Sequence, residues 1–351
     1  MANVAQTGQP RAGKDYPRNY ADFLGWFPDD AACLDYLDWL RWPSGFLCPQ
    51  CSGGKGWRMH DGRWWCGTCR RRVSATARTI LHHTQTPLTV WFAAAWHMTA
   101  PKNGVSAKTL HRLLGFGSYQ TAWAMLHRLR CAIGQNSHAR LSGVVEVDET
   151  MIGGVHPGKR GRGAAGKVLV GMAVEQANKG FGRCRLQVIA NAECETLRSF
   201  LLGTVEPGST ILTDGLPAYL RAAGADYAHH ATPIKGSGMD AHEILPGVHR
   251  IASLVKRWLL GTHQGSIGAD HLQAYLDEFT FRFNRRGSKA RGMLFYRLIQ
   301  QSIGANPVSF HDLVANPKPR TAGQDHPVPP VLRKTAPSSL HGALVHFPWR
   351  G

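Results

Sequence analysis

The chain has no run of about eighteen or more consecutive apolar residues, the length that would suggest a membrane span. Its first twenty residues lack the apolar centre of a secretory leader, and no segment repeats. These absences predict a cytosolic protein, here a nucleoid-associated one, with no membrane partner. Acidic residues are scarce, 23 against 41 lysines and arginines, which leaves a net charge of +18 and a pI near 10.0. A hydrophobic content of 43% excludes wholesale disorder. The surplus of positive charge favours a polyanion, because every neutralised phosphate releases counterions. A basic ribosomal or membrane-surface protein would share that charge.

Eight cysteines fit a reducing compartment if they are not paired as disulfides. Cys33, Cys131, Cys184 and Cys194 are scattered and read as small apolar residues. The other four form CPQC and CGTC, separated by 14 residues. That spacing suits two knuckles turning Cys48, Cys51, Cys66 and Cys69 toward one structural Zn²⁺, which replaces a core so short a segment cannot build. Arg63, Arg70, Arg71 and Arg72, with Trp57, Trp64 and Trp65, could follow a DNA backbone or serve as solvated surface and packing.

The order of elements separates the chain into regions. Residues 1–20 are polar and predicted to be mobile, and a short helical segment follows in 21–45. The predicted zinc ribbon occupies 46–80. Three helical patterns between 87 and 135, broken by short turns, suggest a helix-turn-helix-like DNA-binding unit. Nine of the eleven tryptophans precede residue 124, so this front third has its own aromatic cores. Ser106 is the expected N-cap and Gly115 the stop of the middle helix. Lys108, His111 and Arg112 share its polar side, with Leu110, Leu113 and Leu114 behind. Arg128 and Arg130 follow on the next helix as further DNA-facing candidates.

From 141 to 303 the pattern is three strands, helix, strand, helix, strand, helix. This is the order of an RNase H-like α/β domain, a mixed five-stranded sheet flanked by helices. Prolines crowd the remainder, and 304–351 is predicted to be an unstructured tail. GRGAAGKV nearly spells a phosphate loop, but it lacks the Ser or Thr after the lysine and precedes a strand. It reads as a basic hairpin tip whose Lys159, Arg160 and Arg162 could touch DNA, or as a simple flexible turn.

Two carboxylates stand at the ends of apolar runs, Asp148 in VVEVDET and Asp214 in STILTDG. An aspartate before glycine is commonly a turn, whereas a carboxylate within an apolar strand is costly without a cation. His249 begins a later helix, and Lys256 lies seven residues on, on the same face. Delivered to one point, these groups would hold two divalent cations for in-line attack on a phosphodiester. His242 and Glu243 are rival third ligands. Glu149 in a strand would point away from Asp148. Arg257 joins Lys256 as a DNA-contact candidate.

The segments RWPSGFLCPQC, CGTC, GVSAKTLHRLLG, TAWAMLHRLR, VEVDETMIGG, TDG with Tyr219, and the block from Lys256 through FRFNRR resemble the insertion-sequence transposases of the family numbered fifteen ninety-five. The resemblance covers about residues 20–300. It implies a DDE-type enzyme with two aspartates, a variable third ligand (here His249) and a following lysine (here Lys256). Met151 stands where tyrosine is usual. It further implies one structural Zn²⁺, two catalytic Mg²⁺ or Mn²⁺, and double-stranded DNA partners in the terminal inverted repeats and the target. A homodimer or higher oligomer would pair the ends. Imidazole is softer than carboxylate, so Mn²⁺ should outperform Mg²⁺, and activity should fall as pH drops through the histidine pKa, nominally about 6.5. An inactive zinc-ribbon regulator and a structure-selective nuclease are the competing expectations.

Overall fold

A computed structural model describes residues 9–136, 139–153, 167–233, 238, 240–265 and 267–315. Helices α1 (Tyr20–Trp26) and α2 (Asp30–Arg41) open the chain. Each has a side-chain N-cap, since Asn19 accepts from Asp22 N and Asp29 from Ala32 N. A small antiparallel sheet of β1 (Gly56–Arg58), β2 (Trp64–Cys66) and β3 (Arg72–Val73) follows. Then come α3 (Leu88–Thr99), α4 (Ala107–Leu114) and α5 (Tyr119–Gln135).

The five-stranded sheet has the order β6-β5-β4-β7-β8. It contains β4 (Val144–Gly153), β5 (Lys167–Gln176), β6 (Phe181–Val188), β7 (Thr210–Thr213) and β8 (Ala228–Ala231). Pairing is antiparallel among β4, β5 and β6 and parallel from β4 to β7 to β8. This is the mixed RNase H-like sheet expected from the element order. Between strands lie α6 (Cys194–Thr204) and α7 (Pro217–Ala223). After β8 come α8 (Ala241–Ile244), α9 (Pro246–His263) and α10 (Leu272–Phe283).

Strand alternation sorts β4 between two cores. Val145 and Val147 pack with α6 and α7 residues Leu197, Phe200 and Tyr219. Ile152, of opposite parity, packs with Val248, Ile251 and Leu276 of α9 and α10. The even residues of β4 therefore face α9.

Two expectations about the ends of the chain need correction. Helix α11 (Gly292–Gly304) belongs to the front core and not to the sheet, because Leu294, Phe295, Leu298 and Ile299 are buried with Phe23, Leu37, Trp91 and Phe92. The Phe295 ring lies 5.4 Å from Phe23 and 5.6 Å from Phe92. The segment before α1 is likewise packed: Tyr16 is 5% exposed, and Tyr36 donates from its hydroxyl to Asp15 O at 2.7 Å. A β-carbon at Gly292 would lie 1.7 Å from Pro17 O, so only glycine lets this segment cross the start of α11. Beyond 303, α12 (Phe310–Ala315) buries Leu313, and Arg128 donates to Val308 O at 2.9 Å. The first part of the predicted tail is thus ordered; residues 316–351 lie outside the described residues.

Candidate active site and cysteine cluster

Two knuckles build the cysteine cluster. Ser52 N donates to Cys48 O at 2.8 Å, and Arg70 N donates to Cys66 O at 2.9 Å. Each knuckle then passes through a left-handed residue, Ser52 at φ 58° and Arg70 at φ 56°. The four sulfurs lie within 4.8 Å of one another, with Cys48–Cys69 at 3.8 Å and Cys51–Cys66 at 3.6 Å. A tetrahedron with Zn–S near 2.3 Å has an edge of about 3.8 Å, whereas a disulfide needs about 2.05 Å. The donor set and spacing therefore fit one tetrahedral metal. The Cys69 N–H, 3.5 Å from Cys66 Sγ, draws the Cys66 thiol down to about 6, toward the thiolate a metal requires.

Around the cluster, Trp64 is packing. It stacks on Phe46 at 4.9 Å and donates to Asp38 at 2.9 Å. Trp57, Trp65 and Arg72 lie side by side across the three strands, and Trp57 is 58% exposed. Arg70, Arg71 and Arg72 are exposed, and Arg63 is bound to Asp61.

The helix-turn-helix candidate has the expected caps. Ser106 accepts from Thr109 N at 3.1 Å, and Gly115 ends α4 at φ 65°. Lys108 and Arg112 are exposed, His111 is half-buried, and Leu110 is buried. Leu113, expected behind, is 53% exposed. Two arginines are misplaced by the sequence reading. Arg130 is 1% exposed, paired with Glu278 at 2.8 Å and lying over the Tyr275 ring at 4.0 Å. Arg128 is half-buried against Val308. Both join elements of the protein, and the buried Arg130 cannot reach a DNA groove. Lys159, Arg160 and Arg162 lie outside the described residues.

The two aspartates follow adjacent, paired stretches of β4 and β7. Val144 pairs with Thr210 and Glu146 with Leu212 in the parallel β4–β7 ladder. Asp148 lies two residues past the last of these pairs on β4, and Asp214 two residues past it, just beyond the end of β7. Leu216 N donates to Asp214 Oδ1 at 3.2 Å, so the aspartate shapes its own turn, and Gly215 follows at φ 86°. Glu149 N donates to Asp148 Oδ1 at 2.7 Å. Glu149 itself points to the opposite face, where Tyr219 donates to it at 2.9 Å. Tyr219 is fully buried and its phenol is pushed well above its ordinary value, first by burial and then by Glu149 and Asp148.

Helix α9 covers the other side of this point. His249 is half-buried; burial, with His242 beside it, lowers its pKa, while Glu146 and Asp214 act the other way. The imidazole is therefore neutral near pH 7, the form that binds a metal. Lys256 donates to Thr150 Oγ1 at 2.8 Å, and its pKa is lowered by desolvation over the sheet and by Lys167. The rivals are occupied elsewhere. Glu243 is exposed and accepts from Asp240 N at 2.9 Å in the capping box of α8, and His242 is exposed.

Among the described residues, Asp148, Asp214 and His249 are not drawn into a set as tight as the four sulfurs. A two-metal site, with ions about 3.5–4 Å apart, spreads its ligands and does not require such closeness.

Sequence reasoning missed Glu146. It is fully buried and accepts from Gly247 N at 2.6 Å, Val248 N at 3.0 Å and Gln176 Nε2 at 3.1 Å. The available signal was a second carboxylate inside the same apolar strand. Arg250, exposed one helix repeat before Arg257, was also missed.

A knuckled cysteine quartet ahead of a mixed RNase H-like sheet, with one aspartate within its central strand and another just past the neighbouring strand, defines the class. Residues 140–284 match the ISXO2-like transposase domain, and residues 28–72 match the transposase zinc-ribbon domain. The chain belongs to the insertion-sequence DNA transposases of the family numbered fifteen ninety-five. It is 27% identical over 291 residues to an uncharacterized protein in transposable element ISH50 of Halobacterium salinarum, covering 75% of this chain and 95% of that one. It also aligns with the Mos1 strand transfer complex at 14% identity and a TM-score of 0.27, over 62% of this chain and 74% of that one. The Mos1 paired end complex with Mn aligns at 14% identity and a TM-score of 0.26, over 62% and 75%. These two likenesses are too loose to build on. Among the described residues no helix is long and apolar enough to cross a membrane.

Proposed function

We propose that this transposase is of the DDE type, cutting DNA at the ends of its element and joining the freed 3′-hydroxyls to target DNA at a two-metal site of Asp148, Asp214 and His249. The observation that supports this reading is the parallel β4–β7 ladder, which pairs Glu146 with Leu212 two residues before each aspartate, on the sheet face that α9 covers. Two divalent cations bound there would activate the attacking oxygen and neutralise the departing one. The chain's own groups hold and orient. Asp148 sits at the centre of the sheet, where it can serve both ions. Asp214 offers a carboxylate from a turn it stabilises itself. Neutral His249 offers a ring nitrogen. Lys256, steadied by Thr150, is placed to meet a phosphate beside the scissile bond.

The front of the molecule would hold the element's terminal inverted repeats, through exposed Lys108 and Arg112 on α4 and exposed Arg70, Arg71 and Arg72 beside Trp57 on the ribbon. Arg250 and Arg257 extend the basic surface along α9. The cysteine quartet would hold one Zn²⁺, and a homo-oligomer would pair the two ends.

Nicking of end-containing duplex DNA with Mn²⁺ tests the site. Asp148→Ala and Asp214→Ala should each lose about 10³-fold in rate, the scale expected when charge stabilisation of the transition state is removed. Binding of the repeat should be retained. A D148A enzyme that nicks like its parent, or a parent that binds repeats without nicking, would overturn the assignment.

A further inference from the structure

Helix α9 carries both His249 and Lys256, yet its own sequence gives it no side-chain cap. Leu245 stands at the N-cap and Pro246 at the first turn, and no local side chain accepts the free N–H groups. The missing acceptor comes from the sheet. Glu146, fully buried, takes the Gly247 and Val248 N–H groups on Oε2, while Gln176 donates to Oε1. A buried carboxylate is costly. Here the cost is offset by three hydrogen bonds and by the positive end of the helix dipole. The approach is so close that a β-carbon at Gly247 would lie 2.7 Å from Oε2.

A local Ser or Asp would cap the helix as well, but it would leave α9 free to shift against the sheet. Glu146 fixes the register between the two. Asp148 lies two residues beyond Glu146 on the same face of β4, and His249 lies two residues beyond Gly247. The Lys256–Thr150 bond is a second tie further along the same pair of elements.

We infer that Glu146 is a positioning residue, a cap from outside the helix that sets His249 at the distance from Asp148 and Asp214 needed to share the catalytic metals. The inference rests on His249 being a metal ligand. Glu146 acts through hydrogen-bond acceptance, so Glu146→Gln should be tolerated: its oxygen can accept the helix N–H groups and its amide can donate to a turned Gln176.

The test measures DNA nicking against Mn²⁺ concentration in Glu146→Gln, Glu146→Ala, His249→Ala and the double variant E146A/H249A, with repeat binding measured alongside. E146A should need about tenfold more Mn²⁺ for half-maximal rate and lose roughly 10–100-fold in rate, the usual cost of losing a group that orients a ligand. E146Q should stay within about threefold of the parent, well short of that loss. The double variant should be no worse than H249A. If E146A does not fold, Gly247→Ala, which crowds the same carboxylate, should give the same metal shift. E146Q as impaired as E146A, or losses that multiply in the double variant, would overturn the role of Glu146. A parent-like H249A would instead remove the ligand assignment beneath it.

Discussion

The cysteine quartet and the aspartate–histidine site solve the same problem in opposite ways. The quartet gathers four ligands from 22 residues of chain, already within 4.8 Å of one another. The other site draws its groups from β4, the end of β7 and the start of α9, and leaves them apart. A structural metal needs a closed shell, and a short ribbon has little besides that metal to hold it together. A catalytic site keeps positions open for water and substrate. The proposed ligands would therefore be held by the protein, through Glu146, the Asp214 turn and the Lys256–Thr150 bond.

Chelation should separate the two most strongly. Stripping Zn²⁺ removes about 10–16 kcal/mol of binding free energy coupled to folding. Amide exchange should show β1–β3 losing protection while β4–β8 keeps it, and withdrawal of Mg²⁺ or Mn²⁺ should stop nicking reversibly with no loss of protection. If the large sheet melts when zinc is removed, the contrast is wrong.

Next in size is the joint that holds α10, and hence the layer over the catalytic sheet, to the front helices. Arg130→Met leaves the buried Glu278 carboxylate with only its longer pair to Arg282 at 3.6 Å, a loss of up to about 3 kcal/mol in urea denaturation. Repeat affinity should not change, because Arg130 is internal. A fall in affinity with unchanged stability would restore it as a DNA contact.

The same joint should also depend on pH, gradually and only in acid. His127 is held at about 2, first by burial and then by Arg130, His271 and His263. His263 is held at about 3 by burial, Arg130 and Arg282. Both are neutral in the folded protein, whereas unfolded histidine takes a proton near pH 6.5. Their contribution is complete above pH 6.5 and is lost as pH falls from there toward 3, by at most about 1.4 kcal/mol per unit for each group. Protection of α5 and α10 amides at pH 7.5 and 5 reports it apart from metal loss. His127→Phe should flatten the slope, and an unchanged slope would place the titration elsewhere.

What the sequence made legible was local. The CxxC spacing and the Ser106 and Gly115 caps each depend on a few neighbouring residues, and all three features have the expected geometry. Alternation along β4 also placed Glu149 on the far face. What it hid was non-local. The partner of Arg130 lies 148 residues away, so a basic residue on an amphipathic helix looked like surface. Leu294 and Phe295 continued the helical pattern after the sheet, and nothing near them named the front core as their destination. Glu146 read as one more residue of a strand. The clue was on α9, a long helix beginning Leu-Pro-Gly with no capping side chain of its own.

The return of α11 to the front core has a consequence for synthesis. Phe92, Trp91 and Leu37 leave the ribosome long before the residues that cover them. At about 5–20 residues per second, the interval between α5 and α11 is roughly 10–30 s. During that time the front helices present an unfilled apolar groove, and the intervening sheet must form as an insertion between two halves of one core. The front core is therefore completed only after the intervening sheet has been translated, and a chain terminated before α11 leaves that apolar groove open.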